Sequence, residues 1–422
     1  MAARREVELA ELQKALATVY TPANPIDDPS LFSGRTELLA ELRTDLTMPG
    51  SHLVIYGERG VGKTSLWNVL LNGRKVARHS ASEQDDFVSI FLRVLERLGE
   101  EFTENERKQL TEVSGSIGAE KVASVGSKLS AEAVEKPVAE RALDLNFVLD
   151  RVARRAGDLD AIVIDEFQNI SKDHVQTQII EVVKGFTDRN VKVTIVIVGV
   201  ADSDDELLSS REYEQYKGRH FFARRVPRMP ENEVRDILEL RERAYEVKFE
   251  DDVKAAICRI ASGYPGTAHR LALLAAQAWA TRAFLGHAVG ALSAVLRFLG
   301  VSVSVSVEKA HVHVEQQDLR RAVERFARDF REHHPAITAH YDQLLSSPAW
   351  PEVERLISGL ASSPTALVDK EDLARRTGIN DDDMDKLLDT AATGLVQRIN
   401  GSCRLAVRQL RTFIEANRYL AA

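Results

Sequence analysis

The sequence predicts an α/β chain: a doubly wound parallel sheet, then a mostly helical region, then a winged helix-turn-helix. Three observations carry that reading. Short apolar runs at residues 52–56, 161–164 and 191–198 alternate with helix-periodic segments up to about residue 226. The last of these runs is rich in Val and Ile, as strands buried on both faces of a parallel sheet are. From Glu231 to about residue 300 the chain reads as helix. Beyond Trp350, three short helical segments precede Asn400–Gly401, the preferred pair for a two-residue hairpin turn.

Taken in order, residues 1–20 carry Val7, Leu9, Leu12, Leu16 and Val19 at helical spacing, which predicts a short docking helix. Residues 21–34 are rich in Pro, Asp and Ser and read as loop. A helix follows over 35–48, with leucines at 38, 39, 42 and 46, and Pro49–Gly50 ends it. The strand at 52–56 leads into a glycine-rich turn and a helix over 63–71. A strand over 74–80 and a helix over 85–98 come next, the helix with Phe87, Ile90, Phe91, Val94 and Leu95 on one face. Residues 113–137 are Ser, Gly, Ala, Val and Lys with little bulk, and read as an inserted hairpin or exposed loop. Helices are expected over 139–156, 177–187 and 318–333, and short extended pieces over 301–314. The last region reads as helices over 350–360, 370–377 and 381–390, with Gly378 turning the second and Asn380 capping the third, and then a hairpin. The expected domains are 1–50 for the N-terminal helix and lead-in, 51–228 for the sheet domain with an insert at about 106–137, 229–330 for a helical lid, and 331–422 for the winged helix.

At 422 residues the chain has room for two or three cores. A hydrophobic fraction of 44% and a charged fraction of 28% are ordinary for a soluble protein. The net charge of −8 argues against a chain that coats nucleic acid nonspecifically. Cys258 and Cys403 make no disulfide framework and fit a reducing, cytoplasmic compartment. The charged N-terminus has no signal-peptide run. The most apolar region, 268–305, is broken by His269, Arg270, Arg282, His287 and Arg297. It therefore falls short of the ~18 uncharged residues that span a bilayer, and no membrane partner is expected.

Gly57-Glu58-Arg59-Gly60-Val61-Gly62-Lys63-Thr64 matches G-x-x-x-x-G-K-[ST] at every fixed position, with Ser65 following. Glycines let the backbone turn its N–H groups inward onto phosphate oxygens, and a helix starting near Lys63 adds its positive end. Lys63 supplies charge for the β- and γ-phosphates, and Thr64 offers a hydroxyl to Mg²⁺. A chance glycine-rich turn would lack the strand before and the helix after. The second half of the site is Asp165-Glu166, which ends an apolar strand and so sits at the carboxyl edge of the sheet. Asp165 is placed for the magnesium shell, and Glu166 to orient or deprotonate an attacking water. The expectation is an ATPase using ATP and Mg²⁺, with Lys63 and Glu166 as catalytic groups.

Because the second motif ends in Asp-Glu, the chain resembles the AAA+ superfamily. More narrowly, residues 25–39 followed by residues 56–66 are similar to the lead-in of two related groups, the origin-recognition initiators with their transposition-helper relatives and the STAND signalling NTPases. In both, a pair like Gly34–Arg35 precedes the P-loop by about twenty residues. The resemblance covers roughly residues 20–290. It implies that the lead-in covers the base, so that Pro25 and Ile26 touch adenine. Gly263-Tyr264-Pro265 looks like the G-x-P lid turn of STAND proteins and occupies the sensor-2 position, which would let His269 or Arg270 read the γ-phosphate; a plain helix N-terminus is the alternative. Residues 211–228 hold six basic residues against two acids. AAA+ proteins place an arginine finger at about this point, and spacing selects Arg219; a solvated basic face is the alternative. One departure stands out. Residues 199–203 read Gly-Val-Ala-Asp-Ser, without the asparagine that usually positions water, and this implies a slow switch rather than a motor.

In the C-terminal region the third helix begins Asp381-Asp382-Asp383-Met384-Asp385. Carboxylates at the reading end of a recognition helix would meet DNA phosphates, although acids also suit a helix N-terminus for its own sake. Residues 331–422 hold eleven Lys or Arg and thirteen Asp or Glu. Both facts favour a protein-contacting or autoinhibitory winged helix. A DNA role would run through Arg398, Arg404, Arg408 and Arg411. His311 and His313 have no Cys or paired acid to complete a metal site. The favoured reading is a self-associating, ATP-driven conformational switch; the alternative is a DNA-binding ATPase of the initiator or transposition-helper type.

Overall fold

A computed structural model describes residues 2–101, 145–170, 173–245, 247–285, 312–363, 367–407 and 409–422. The expected insert, most of the extended pieces near residue 305, and His311 and Arg408 lie outside them. The chain divides into two compact units, one of residues 36–57 and 66–226 and one of residues 1–35, 58–65 and 227–422.

The first unit is built on five parallel strands: β1 (His52–Gly57), β2 (Val76–Ser80), β3 (Ala161–Asp165), β4 (Thr194–Val200) and β5 (Phe221–Arg225), in the order β2-β3-β4-β1-β5. Ile55 pairs with Val198, and Ile164 with Ile197. The inner strands β1, β3 and β4 are almost wholly buried, which is why they read as continuous apolar runs. Helices Phe87–Arg97 and Asp173–Asp188 share a core with the sheet through Phe91, Val94, Ile179 and Phe186. Asp86 and Ser89 close a reciprocal capping box at the start of the first of these, a device worth roughly 1 kcal/mol. Parallel pairing brings the carboxyl ends of all five strands to one edge, and this is what places Gly57, Asp165 and Val200 there.

Strand β5 falls inside the basic run at 211–228, so Arg224 and Arg225 belong to the sheet and are only partly exposed, while Arg211, Lys217 and Arg219 are exposed. Arg224 grips the buried Asp45 with two parallel bonds of 2.7 and 2.9 Å. Lys217 pairs with Asp204 at 2.9 Å and also with Asp205. These two charges are spent on acids that lie far away in the sequence or just upstream.

The second unit holds two cores. Helices Ala2–Val19, Glu231–Tyr245, Asp251–Ala261, Pro265–Leu285 and Gln316–His333 bury Leu12, Leu16, Leu238, Ile257, Leu271 and Val323 together. Strands β6 (Lys248–Phe249) and β7 (His313–Val314) pair in parallel beside them. The second core joins helices Pro335–Leu345, Trp350–Ser362, Lys370–Thr377, Asp381–Asp389 and Leu410–Ala421 to an antiparallel sheet. That sheet is β8 (Val368–Asp369), β9 (Val396–Ile399) and β10 (Ser402–Leu405), in the order β8-β10-β9. Asn400 and Gly401 both have positive φ, 47° and 83°, as a two-residue hairpin turn that matches strand twist requires. No described helix is long and apolar enough to cross a membrane.

Candidate functional site

The glycine loop leaves β1 at Gly57, whose φ is 148°; a Cβ there would stand 2.5 Å from the Val226 carbonyl, so no other residue fits. Gly60 and Gly62 also have positive φ, 86° and 91°. Within the second unit, Tyr264 and Pro265 lie against these two glycines: an added Cβ would come within 3.7 and 3.4 Å of them. Lys63 opens the helix Lys63–Leu70, and its Nζ donates to the Glu58 carbonyl at 2.8 Å. The Ile26 backbone N–H donates to Ser65 Oγ at 3.0 Å, which ties the lead-in to the loop, while Pro25 is exposed.

Arg35 is buried in left-handed backbone with φ of 61°, next to Gly34 at 77°. Its Nη2 donates to Val61 O at 3.3 Å and to Pro227 O. Burial pushes its pKa down to about 10. The pair that precedes the loop by some twenty residues is therefore a brace for the loop, a role the sequence alone did not assign.

Glu58, the first variable position of the loop, is only 2% exposed. Its carboxylate accepts hydrogen bonds from Arg228 Nη2 at 3.1 Å and from the Tyr264 hydroxyl at 2.5 Å, and Arg228 Nε is ion-paired with it at 3.1 Å. Arg228 also stacks 5.3 Å from the Tyr264 ring centre. Removing one partner of so buried an ion pair is strongly destabilising, because it leaves the other charge uncompensated. Arg228 further donates to the Ala361 carbonyl at 2.7 Å, in the last turn of Trp350–Ser362. The loop is thus linked through one side chain to the C-terminal core of its own unit. Neither Arg228 nor Tyr264 was a candidate from the sequence; only the resemblance to a G-x-P turn pointed near Tyr264.

In the sheet unit, Asp165 Oδ1 accepts from the Glu166 N–H at 2.8 Å, and Oδ2 accepts from Trp67 Nε1 at 3.1 Å. Trp67 lies in the second turn of the helix that Lys63 opens. Glu166 adopts left-handed backbone, φ 54° and ψ 37°, which costs a non-glycine residue about 1 kcal/mol. Gln168 donates to Glu166 Oε2, and its own Oε1 accepts from the Val200 N–H at 2.7 Å. A Cβ on Gly199 would stand 3.1 Å from that Oε1, so Gly199 makes room for the amide. The polar group missing from the end of β4 therefore arrives from the end of β3. Asp202 and Ser203 are used locally: Ser203 Oγ caps Asp204–Leu207, and Glu206 takes the Asp202 N–H.

The remaining candidates separate. Arg219 is exposed on the turn before β5, with its N–H on Tyr216 O. Arg270 pairs with Asp329 at 2.6 Å and lies over Phe326. His269 is buried beside Tyr20, and burial with Arg241 holds it neutral, down to about 3. Arg241 is also buried, and its Nε and Nη1 have no hydrogen-bond partner among the described residues. In the C-terminal core Asp385 takes both Lys370 and Arg398, at 2.7 and 2.8 Å, and Arg411 turns inward onto Ala361 O. Arg404, also expected to face DNA, donates to the neutral Gln397.

A parallel sheet with an inner strand that feeds a glycine loop ending in Lys-Thr, and with an Asp-Glu pair at the end of a second strand, defines the P-loop NTPases. The model of the novel STAND NTPase 1 family matches residues 24–328, and the chain belongs to that family. A search of curated proteins finds no match. Among solved structures, the chain is similar to Cdc6p from Pyrobaculum aerophilum, at 16% identity and a TM-score of 0.47 over 96% of this chain and 98% of that one. It is also similar to a Walker-type ATPase of Pyrococcus abyssi, at 14% identity and 0.48 over 93% and 98%. The Aeropyrum pernix ORC1 protein, solved in complex with DNA, gives 16% and 0.42 over 95% of each. Likeness at this level says nothing of what this chain binds.

Proposed function

We propose that the chain binds ATP and hydrolyses it slowly, as a conformational and oligomerisation switch. The backbone of residues 57–62 cradles the phosphates, Lys63 neutralises the β- and γ-oxygens, and Thr64 with Asp165 holds magnesium. When bound, the metal spreads the charge that builds on the transferred phosphoryl group. Glu166, held by Gln168, orients the attacking water. Ile26 and Pro25 border the base. Arg219, exposed and outside any helix or strand, suits a finger offered to a neighbouring subunit.

The observation that carries the switch is Glu58. A loop residue that changes its peptide geometry on taking up phosphate also moves a carboxylate held by Arg228, and Arg228 is bound to Ala361. Residues 51–228 are read as the ATPase core, 229–330 as its lid and 331–422 as a winged helix that meets a protein partner. The ion pairs of Arg398 and the inward turn of Arg411 support protein over DNA. Two unpaired, buried cysteines fit a cytoplasmic setting.

The test is ATP turnover by the full chain, alone and with DNA, beside Lys63→Ala and Glu166→Gln. Slow turnover, lost in both variants and indifferent to DNA, is expected. Acceleration by DNA would replace this reading with the DNA-binding alternative, and turnover that survives in both variants would end the assignment of the site.

A further inference from the structure

Arg228 and Arg411 converge on one neutral acceptor, since both donate to the Ala361 carbonyl. That carbonyl lies at the C-terminal end of Trp350–Ser362, and a helix terminus offers the equivalent of about half a negative charge. One guanidinium would satisfy it. Glu58 answers Arg228 alone, and Arg411 makes no ion pair among the described residues. Burial, and then the neighbouring Arg228, hold the Arg411 guanidinium below its ordinary pKa. Two guanidiniums thus face one carboxylate, which leaves one positive charge in excess at the pair.

A cleft of about 390 Å³ opens on both guanidiniums. Small-molecule sites fall in the range of roughly 300–1,000 Å³. Its walls add Arg259, Ser262 and Ser362, all with polar groups suited to phosphate oxygens, and the one acid on it is Glu231. Arginine forks match phosphate oxygens in pairs, and two forks at an angle match a tetrahedral anion better than a planar carboxylate.

We propose that this cleft binds a phosphate group, as inorganic phosphate or as a small phosphomonoester, between Arg228 and Arg411. A bound phosphate draws Arg228 and so competes with Glu58. Its effect on the glycine loop rests on the proposed function, while the binding itself does not.

The experiment is a calorimetric titration of the full chain with inorganic phosphate, and separately with glycerol phosphate. Because the glycine loop is itself a phosphate binder, the titrations use Lys63→Ala as background. One saturable phosphate is expected to remain there. Adding Arg411→Gln should weaken it about tenfold or more, and Arg411→Lys by less, since charge is kept and the fork lost. A tighter fit for glycerol phosphate than for phosphate identifies a monoester site; equal affinity identifies a site for the free ion. If Arg411→Gln fails to fold, the exposed Arg259→Gln should weaken binding several-fold without touching the core. No saturable binding in Lys63→Ala, or affinity unchanged by both Arg411→Gln and Arg259→Gln, would overturn the proposal. Loss of ATP turnover with phosphate binding retained would overturn neither this site nor its independence from the nucleotide.

Discussion

Gln168 is the residue on which the proposed chemistry turns. Its amide bridges Glu166 and the N–H of Val200, so it fixes the carboxylate that the proposed mechanism needs in one orientation. Gln168→Ala frees Glu166 in a backbone that is already left-handed. ATP turnover should drop about tenfold or more while nucleotide affinity stays level, because Gln168 acts through Glu166 and not on the nucleotide. A rise in KM with unchanged kcat would instead mark a binding residue. The motif Asp165-Glu166 was plain in the sequence because its signal is local: an apolar strand ending in two acids. Gln168 was not, since its role depends on β4 pairing beside β3, which no spacing within one segment reveals. Glu58 was legible as a loop position but not as a buried acid, because Arg228 and Tyr264 are brought to it by folding alone.

At the scale of elements, the inner strands and most helices stood out by period and by caps. The edge strand β5 did not. Phe221-Phe222-Ala223-Arg224-Arg225 looks like part of a basic surface until Asp45 supplies the counter-charge. Edge strands tolerate such residues, and charge there also discourages pairing with other chains. The N-terminal helix was expected to dock, and Leu12, Leu16 and Val19 are indeed buried in the first core of its unit. Its contribution is open to measurement. Leu16→Ala deletes a fully buried side chain, and such deletions cost about 2–5 kcal/mol. Urea unfolding followed by a probe in that unit should show the midpoint fall by a matching amount. A midpoint unchanged within error would mean that the helix is not docked in solution. The hairpin at Asn400–Gly401 followed directly from its sequence, whereas the two-residue strand β8 is too short to announce itself.

For the whole molecule, each unit buries a histidine that is held neutral, His52 in one and His269 in the other. Burial holds His52 in the sheet unit down to about 3, with His220 adding to it, and His269 in the other unit to about 3. His52 Nδ1 accepts the Ile195 N–H at 2.9 Å, which requires the neutral ring. An unfolded histidine titrates near 6.5, so the unfolded chain gains protons first. The stability tied to these rings is therefore complete above pH 6.5. It is lost as pH falls toward 3, by roughly 1.4 kcal/mol per pH unit for each ring. Urea unfolding at pH 7 and pH 5 should show the loss in both units, and His269→Gln should remove it from one. Equal stability at the two pH values would mean that the rings are not held neutral. A different consequence follows from Cys258, which lines the arginine cleft, is buried, and has its thiol pushed up to about 11 by that burial. At neutral pH the closed protein offers an alkylating reagent almost no thiolate. With Cys403→Ser removing the other thiol, the reagent is consumed only by molecules caught with that cleft parted. The chain thus carries its own clock, and the ratio of its rates in ATP and in ADP is the factor by which the nucleotide changes the opening equilibrium, obtained with no partner in the tube.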